Sequence, residues 1–264
     1  MKYLISAQTH TGLKRTNNED NLCVNSKYMR SPEDGSWGVS TSAKACVVAV
    51  CDGMGGERFG EFASLCAAVN IACCHEDILN ASEAEQAKRV DVLIRGINQQ
   101  ICDEILKRNA RIGSTLAMLC IKNGVANLYN IGDSRVYLLR NGALTQLSKD
   151  HTIAQQKLEL GAITAEQAKT DSGKHTLTQH LGIFESEMLI DAHHVQKQVQ
   201  PDDVFLLCSD GLTDMVSDEA IQQILVNEKD CESAVKKLIA TALENGGKDN
   251  VSVIVIQAKG AFWG

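Results

Sequence analysis

The stretch "GSTLAMLCIKNGVANLYNIGDSRVYLLRNGALTQLS", residues 113–148, constrains the fold more than any other part of the chain. Its apolar runs are broken by Asn123-Gly124 and Asn141-Gly142. An Asn-Gly pair readily adopts the two positive-φ conformations that the tightest hairpin turns require. Two such turns predict an antiparallel meander, and with it an α+β layered architecture instead of a parallel βαβ sheet.

The flanking segments turn helical. Val90, Leu93, Ile94, Ile97, Ile101 and Ile105 recur on one face and predict a helix over 85–109. Another helix is expected after the glycine-rich region ending at Gly56, carrying Phe62, Leu65, Cys66, Val69 and Cys73. Residues 152–169 read as helical, with a second start at Thr164-Ala165-Glu166-Gln167 in capping-box form. Helices at 218–227 and 231–244, the second stopped by Gly246-Gly247, lie between strands at 204–208 and 250–257. The opening "MKYLISAQTHTG" is read as a first strand, since its apolar stretch is too short for a secretory signal. Residues 25–44 are polar, contain Pro32, and are expected to form a surface excursion between two strands. With no repeat, linker or low-complexity tract, residues 1–264 are expected to form one domain.

Composition excludes several roles. The net charge is −7 and no basic block occurs, which argues against nucleic acid as a partner. No apolar run is judged near membrane-spanning length. The ten cysteines fall mostly in apolar segments without a C-x-x-C pair, as in a reducing compartment, so a cytoplasmic location is expected. Cys102 and Arg108 have the C-x5-R spacing of a thiolate phosphate site, but Asp103 and Glu104 lie between them and no glycine does. Those acids would raise the thiol pKa and repel phosphate, so Cys102 reads as an ordinary helical cysteine.

Five aspartates sit at strand termini beside glycine or asparagine: Asp20 in "RTNNEDN", Asp52 in "VVAVCDGMGG", Asp133 in "NIGDSR", Asp210 in "VFLLCSDG" and Asp249 in "GGKDN". Singly, each is a common turn residue. Most adjoin a strongly apolar strand, however, and loops at strand ends are where a rigid sheet presents functional groups. If they converge, two carboxylates 4 Å apart repel by about 4 kcal/mol at an effective dielectric near 20. Hard divalent cations such as Mg²⁺ or Mn²⁺ are the natural compensation, and Gly53 could add its unobstructed carbonyl. Zinc is disfavoured because no histidine or cysteine is seen at a matching position. Two ions would activate a water for attack on phosphorus or carbonyl carbon, and Arg15 could hold a substrate phosphate.

At these residues the sequence resembles the metal-dependent serine/threonine protein phosphatases, the type 2C or PPM family, in bacterial form. The likeness runs in order through "GLKRTNNED", "VVAVCDGMGG", "GSTLAMLCI", "NIGDSRVYLLRNGALTQLSKDHT", "TLTQHLG", "VFLLCSDGLTD" and "GGKDNVSVIVI". It implies a four-layer α-β-β-α sandwich, with two antiparallel sheets, helix pairs on both outer faces and metals in a cleft at one end. Asp52 would bridge two Mn²⁺ or Mg²⁺ ions, Gly53 would offer its carbonyl, and Asp210 and Asp249 would ligate one ion. Asp20 would act through water, and Asp133 with Asp210 would hold a third ion. Arg15 would grip the phosphoryl group, making Arg15, Asp52 and Asp210 the catalytic set.

The implied activity is hydrolysis of phosphoserine and phosphothreonine on the protein substrates of a serine/threonine kinase, by a monomer with no membrane partner. Non-catalytic binding of phosphoproteins and hydrolysis of small phosphate esters are the alternatives. Three departures stand out. Met54 replaces the histidine of animal relatives and cannot donate a proton, and none of the seven histidines is assigned that role. The flap region at about 150–180 reads "KTDSGKHTLTQH" where many bacterial relatives have a His-Pro-x-Arg-Asn-like stretch, and the excursion at 29–44 is longer than usual.

Overall fold

Thirteen strands and seven helices follow one another in a computed structural model that describes residues 1–31, 34–55 and 59–260. The first half contains β1 (Lys2–His10), β2 (Asp20–Val24), β3 (Lys27–Tyr28), β4 (Ser36–Ala43), β5 (Cys46–Gly55), α1 (Gly60–Asn80) and α2 (Glu83–Arg108). The meander follows as β6 (Ile112–Ser114), β7 (Leu116–Lys122), β8 (Val125–Ile131), β9 (Arg135–Arg140) and β10 (Ala143–Gln146). Two short helices, α3 (Ile153–Glu159) and α4 (Ala165–Ala168), precede β11 (His193–Gln198) and β12 (Val204–Cys208). The chain then runs through α5 (Asp210–Thr213), α6 (Asp218–Asn227), α7 (Cys231–Glu244) and β13 (Val251–Lys259).

One sheet has the order β10-β9-β12-β13-β1-β4; the other runs β11-β8-β7-β5-β2-β3, with β6 paired to β5. The strand pairings are antiparallel, as the Asn-Gly turns demand: Asn123 and Asn141 both adopt positive φ. The apolar runs of β5 and β12 are continuous because both faces are buried. Val48 and Val50 face the layer between the sheets, while Val47, Ala49 and Cys51 face α1 and α2. In the other sheet Phe205 and Leu207 point inward, and Val204, Leu206 and Cys208 point toward α6 and α7. Helix pair, sheet, sheet and helix pair therefore stack as four layers.

Three local expectations change. Residues 25–44 are not a simple surface excursion, because β4 pairs with β1 from His10↔Ser36 to Tyr3↔Ala43. Trp37, Val39 and Ala43 pack on the inter-sheet core while Ser36, Gly38, Ser40 and Ser42 face out. That period of two is hidden by the serine-rich composition, and Pro32 lies outside the described residues. The most buried positions of α1 include Ala63, Ser64, Ala67, Ala68 and Ile71, with Phe62 and Cys66 partly buried beside them and Cys73 exposed. Small side chains let this helix approach β5 closely. By length and mean hydropathy (1.3) α1 could cross a bilayer, contrary to the expectation from apolar runs, yet here it packs on a sheet. The helical reading of 152–169 resolves into α3 and α4, separated at Gly161, whose φ is +69°, and the capping box forms at Thr164.

Candidate active site

The alternation that builds the core also delivers the first two carboxylates. β2 and β5 pair in the register Leu22↔Val50 and Asp20↔Asp52. Residues two apart share a face, so Asp52 continues the inward line of Val48 and Val50, and Asp20 that of Leu22 and Val24. The facing sheet replaces its apolar residues with hydroxyls at the same end. Ser209 follows Phe205 and Leu207, Ser252 precedes Ile254, and Thr9 follows Ile5 and Ala7. Ser209 Oγ donates to Asp20 Oδ2 at 2.8 Å, Ser252 N donates to Ser209 Oγ at 3.0 Å, and Ser252 Oγ bonds Thr9 Oγ1 at 2.8 Å. The sandwich thus ends in a buried polar floor.

Glycines let the surrounding backbones converge on that floor. A Cβ on Gly53 would collide with the carbonyl oxygens of Gly60 and Glu19, and one on Gly211 with the carbonyl of Asn250. Asp210 opens α5, separated from the end of β12 by Ser209, and Asp249 stands across that contact, separated from β13 by Asn250. Asn250 ties the arginine-bearing loop in place: its Nδ2 donates to Thr11 O (2.8 Å) and Asn17 O (2.9 Å), and its Oδ1 accepts from Glu19 N (2.7 Å). Thr115 fixes Asp52 from the other side, donating its N–H to Asp52 O at 2.8 Å and accepting from Asp52 N at 3.0 Å. Its hydroxyl also bonds Ser134, beside Asp133, at 2.7 Å.

Arg15, Asp52, Gly53, Asp133, Asp210 and Asp249 consequently line one cleft of about 440 Å³, with Asp20 beneath it at 1% exposure. Burial, then the charges of Asp20, Asp210, Asp133 and Asp249, push the Asp52 carboxyl well above the ordinary carboxylate range. Burial likewise raises Asp20 to about 7, against the hydrogen bonds from Ser252 and Ser209, and Asp133 to about 8. Arg15 meets this charge at the mouth, with Nη2 2.6 Å from Asp249 Oδ2 and its side chain 52% exposed.

Glu19, Thr115, His175, Leu177 and Asp214 also line this cleft and were not singled out from the sequence. Asp214 lies one turn of α5 beyond Asp210 and accepts from Lys174 Nζ at 2.6 Å. The i, i+4 spacing in "SDGLTD" was a legible sign that the two carboxylates share a face. His175 stands between them, 3.5 Å from Asp210 Oδ2 and 3.4 Å from Asp214 Oδ2. Donor atoms of Asp133, His175 and Asp210 all lie within 4.8 Å of one another, which corrects the expectation that no histidine reaches the acidic cluster. No local pattern in the coil around His175 announced it. Cys102, by contrast, is buried with its thiol pushed up to about 11, and Arg108 pairs with Glu104 instead.

The residues fit hard divalent cations. Among the described residues, no hydrogen-bond donor reaches the Asp52 carboxylate, although burial and four neighbouring carboxylates oppose its ionisation. Oxygen donors from several elements converge there with too few cations to balance them. This is the donor set that Mg²⁺ and Mn²⁺ prefer.

A profile described as protein phosphatase 2C matches residues 30–252. The serine/threonine protein phosphatase PstP of Mycobacterium tuberculosis is 34% identical over 95% of this chain, which spans only 44% of that protein's length. The serine/threonine phosphatase Stp of Listeria welshimeri is 32% identical over 95% of this chain and 94% of its own. The solved catalytic domain of PstP in complex with two manganese ions superposes with a TM-score of 0.79 at 30% identity, covering 98% of this chain and all of that one. Motif order, layer order and these likenesses agree: the chain belongs to the protein phosphatase 2C family.

Proposed function

We propose that this chain hydrolyses phosphoserine and phosphothreonine monoesters on proteins, using Mn²⁺ or Mg²⁺. The observation that carries the reading is the convergence of Asp52, Asp133, Asp210 and Asp249, from four separate segments, on one cleft with Arg15 at its mouth. Asp52, Asp210 and Asp249, with the Gly53 carbonyl, would hold two ions, and Asp20 would support them from below through water. Asp133 and Asp210, now joined by His175, would hold a third. When bound, such ions neutralise the carboxylates, polarise the phosphoryl oxygens and make a water nucleophilic near neutral pH.

The chain's own residues do the rest. The Thr115 and Ser134 hydroxyls hold the Asp52 and Asp133 segments in fixed relation. Arg15 uses one nitrogen on Asp249 and can turn its remaining donors to phosphoryl oxygens. Met54 borders the cleft without a proton to give. The complete carboxylate set disfavours the non-catalytic alternative.

Substrates of a serine/threonine kinase, a monomeric state and a cytoplasmic location complete the proposal. The ten free cysteines, most of them buried, support a reducing compartment. Manganese-dependent turnover of a phosphothreonine peptide, compared with a small phosphate metabolite, tests the reading. A higher kcat/KM for the peptide is expected, and turnover that survives Asp52→Asn would overturn it.

A further inference from the structure

A second concavity opens on the other side of Met54. It has a volume of about 510 Å³, and Met54 and Gly55 line both it and the catalytic cleft. The two differ in chemistry. Carboxylates dominate the cleft, whereas half-buried Met54, Ile105, Ile183 and Phe184 form the groove walls, with Arg111 and Glu187 exposed at its rim.

The groove is built before anything enters it. Gly55↔Ile112 pairing supplies its floor, and a reciprocal bridge between Ser114 and Leu181 holds the far wall. Buried Asn98 accepts from Gly182 N at 2.7 Å and Ile183 N at 3.2 Å, and donates to Ile183 O at 2.9 Å. The loop carrying Ile183 and Phe184 is therefore pinned to α2. Phe184 is not part of the hydrophobic core, so a half-exposed aromatic is maintained next to a phosphate-binding cleft.

We propose that this groove is a specificity subsite of the catalytic cleft, receiving an apolar side chain of the phosphorylated protein substrate. Gly55 lies two residues along β5 from Gly53, roughly 7 Å, which is the span of about two residues of extended peptide. The preferred apolar residue thus stands about two positions from the phosphoserine or phosphothreonine. The inference rests on the phosphatase reading above and names the substrate feature that reading leaves open.

The test is manganese-dependent turnover of phosphothreonine peptides carrying Leu, Ala or Asp at each of about three positions on either side, with p-nitrophenyl phosphate in parallel. One position should favour Leu over Ala by on the order of tenfold in kcat/KM. Phe184→Ser should bring that ratio close to one, and Phe184→Leu should restore most of it. Equal kcat/KM for Leu and Ala at every position, or a preference for Asp, overturns the subsite while p-nitrophenyl phosphate is still hydrolysed. A Leu preference unchanged by Phe184→Ser also overturns it. Loss of all turnover in the wild-type chain sinks the phosphatase reading itself and this inference with it.

Discussion

The middle of the sandwich and its carboxylate end are made by the same strands with the same alternation, yet they are opposites. Val48 and Val50 on β5 meet Leu22 and Val24 on β2 in a fully apolar layer. One step further along the same face, Asp20 and Asp52 stand opposite each other. The centre is stabilised by what it excludes, namely water. The end is left short of a component, because buried carboxylates without counter-cations oppose folding. Geometry that costs nothing in the middle therefore becomes a poised, unfavourable site at the edge, which divalent cations would complete.

That contrast can be broken most severely at Asp52. Asp52→Asn should lower manganese-dependent turnover by about three orders of magnitude, the scale of several kcal/mol in transition-state stabilisation. In metal-free protein the same change should raise the midpoint of thermal unfolding, because it removes a carboxyl that burial and its neighbours hold protonated at a cost to folding. In the middle the signs reverse. Leu207→Ala, at a wholly buried inward position, should cost about 2–5 kcal/mol in denaturant unfolding with or without manganese.

The pH dependence sharpens the comparison further. Asp20 and Asp133 are raised to about 7 and about 8 in the folded chain, against roughly 4 when unfolded. Between those values the folded state binds more protons than the unfolded one, so stability falls as pH rises. Urea unfolding of metal-free protein should show a loss of several kcal/mol, at most about 6, from about pH 5 to about pH 8. Saturating manganese should largely abolish that slope, and a metal-free curve that is flat or rising would contradict the account.

Smaller effects are expected at the mouth. Arg15→Ala should raise KM for phosphopeptides by about tenfold and change kcat less, since the exposed guanidinium contributes binding more than chemistry. His175→Ala should lower turnover by a few-fold at limiting manganese and by less at saturation, as expected for the edge of a third, weaker site.

Legibility in the sequence followed the range of the interactions. Helices α6 and α7 match 218–227 and 231–244 residue for residue, because caps at Ser217 and Asp230 and the helical apolar period are local signals. The hairpins were equally plain from Asn-Gly. The serine-rich β4 was obscured because an edge strand needs only every second residue to be apolar. The helix after the glycine-rich region was legible from its length, but the face it buries was not, because the sheet takes its alanines and Ile71 in preference to most of its larger residues. At the site, the strand-end aspartates announced themselves through their apolar neighbours. His175 did not, because its place depends on contacts with Asp210 and Asp214, distant along the chain, and on no periodic pattern.

The claim beneath all of this is that carboxylates from four separated segments form one divalent-cation site. Calorimetric titration of manganese into folded, metal-free protein tests it most directly. At least two ions should bind per chain, more tightly at about pH 8 than at about pH 5, because cations must displace the protons held by the raised carboxyls. Folded protein that takes up no manganese, or that binds it equally well after Asp52→Asn, would contradict it.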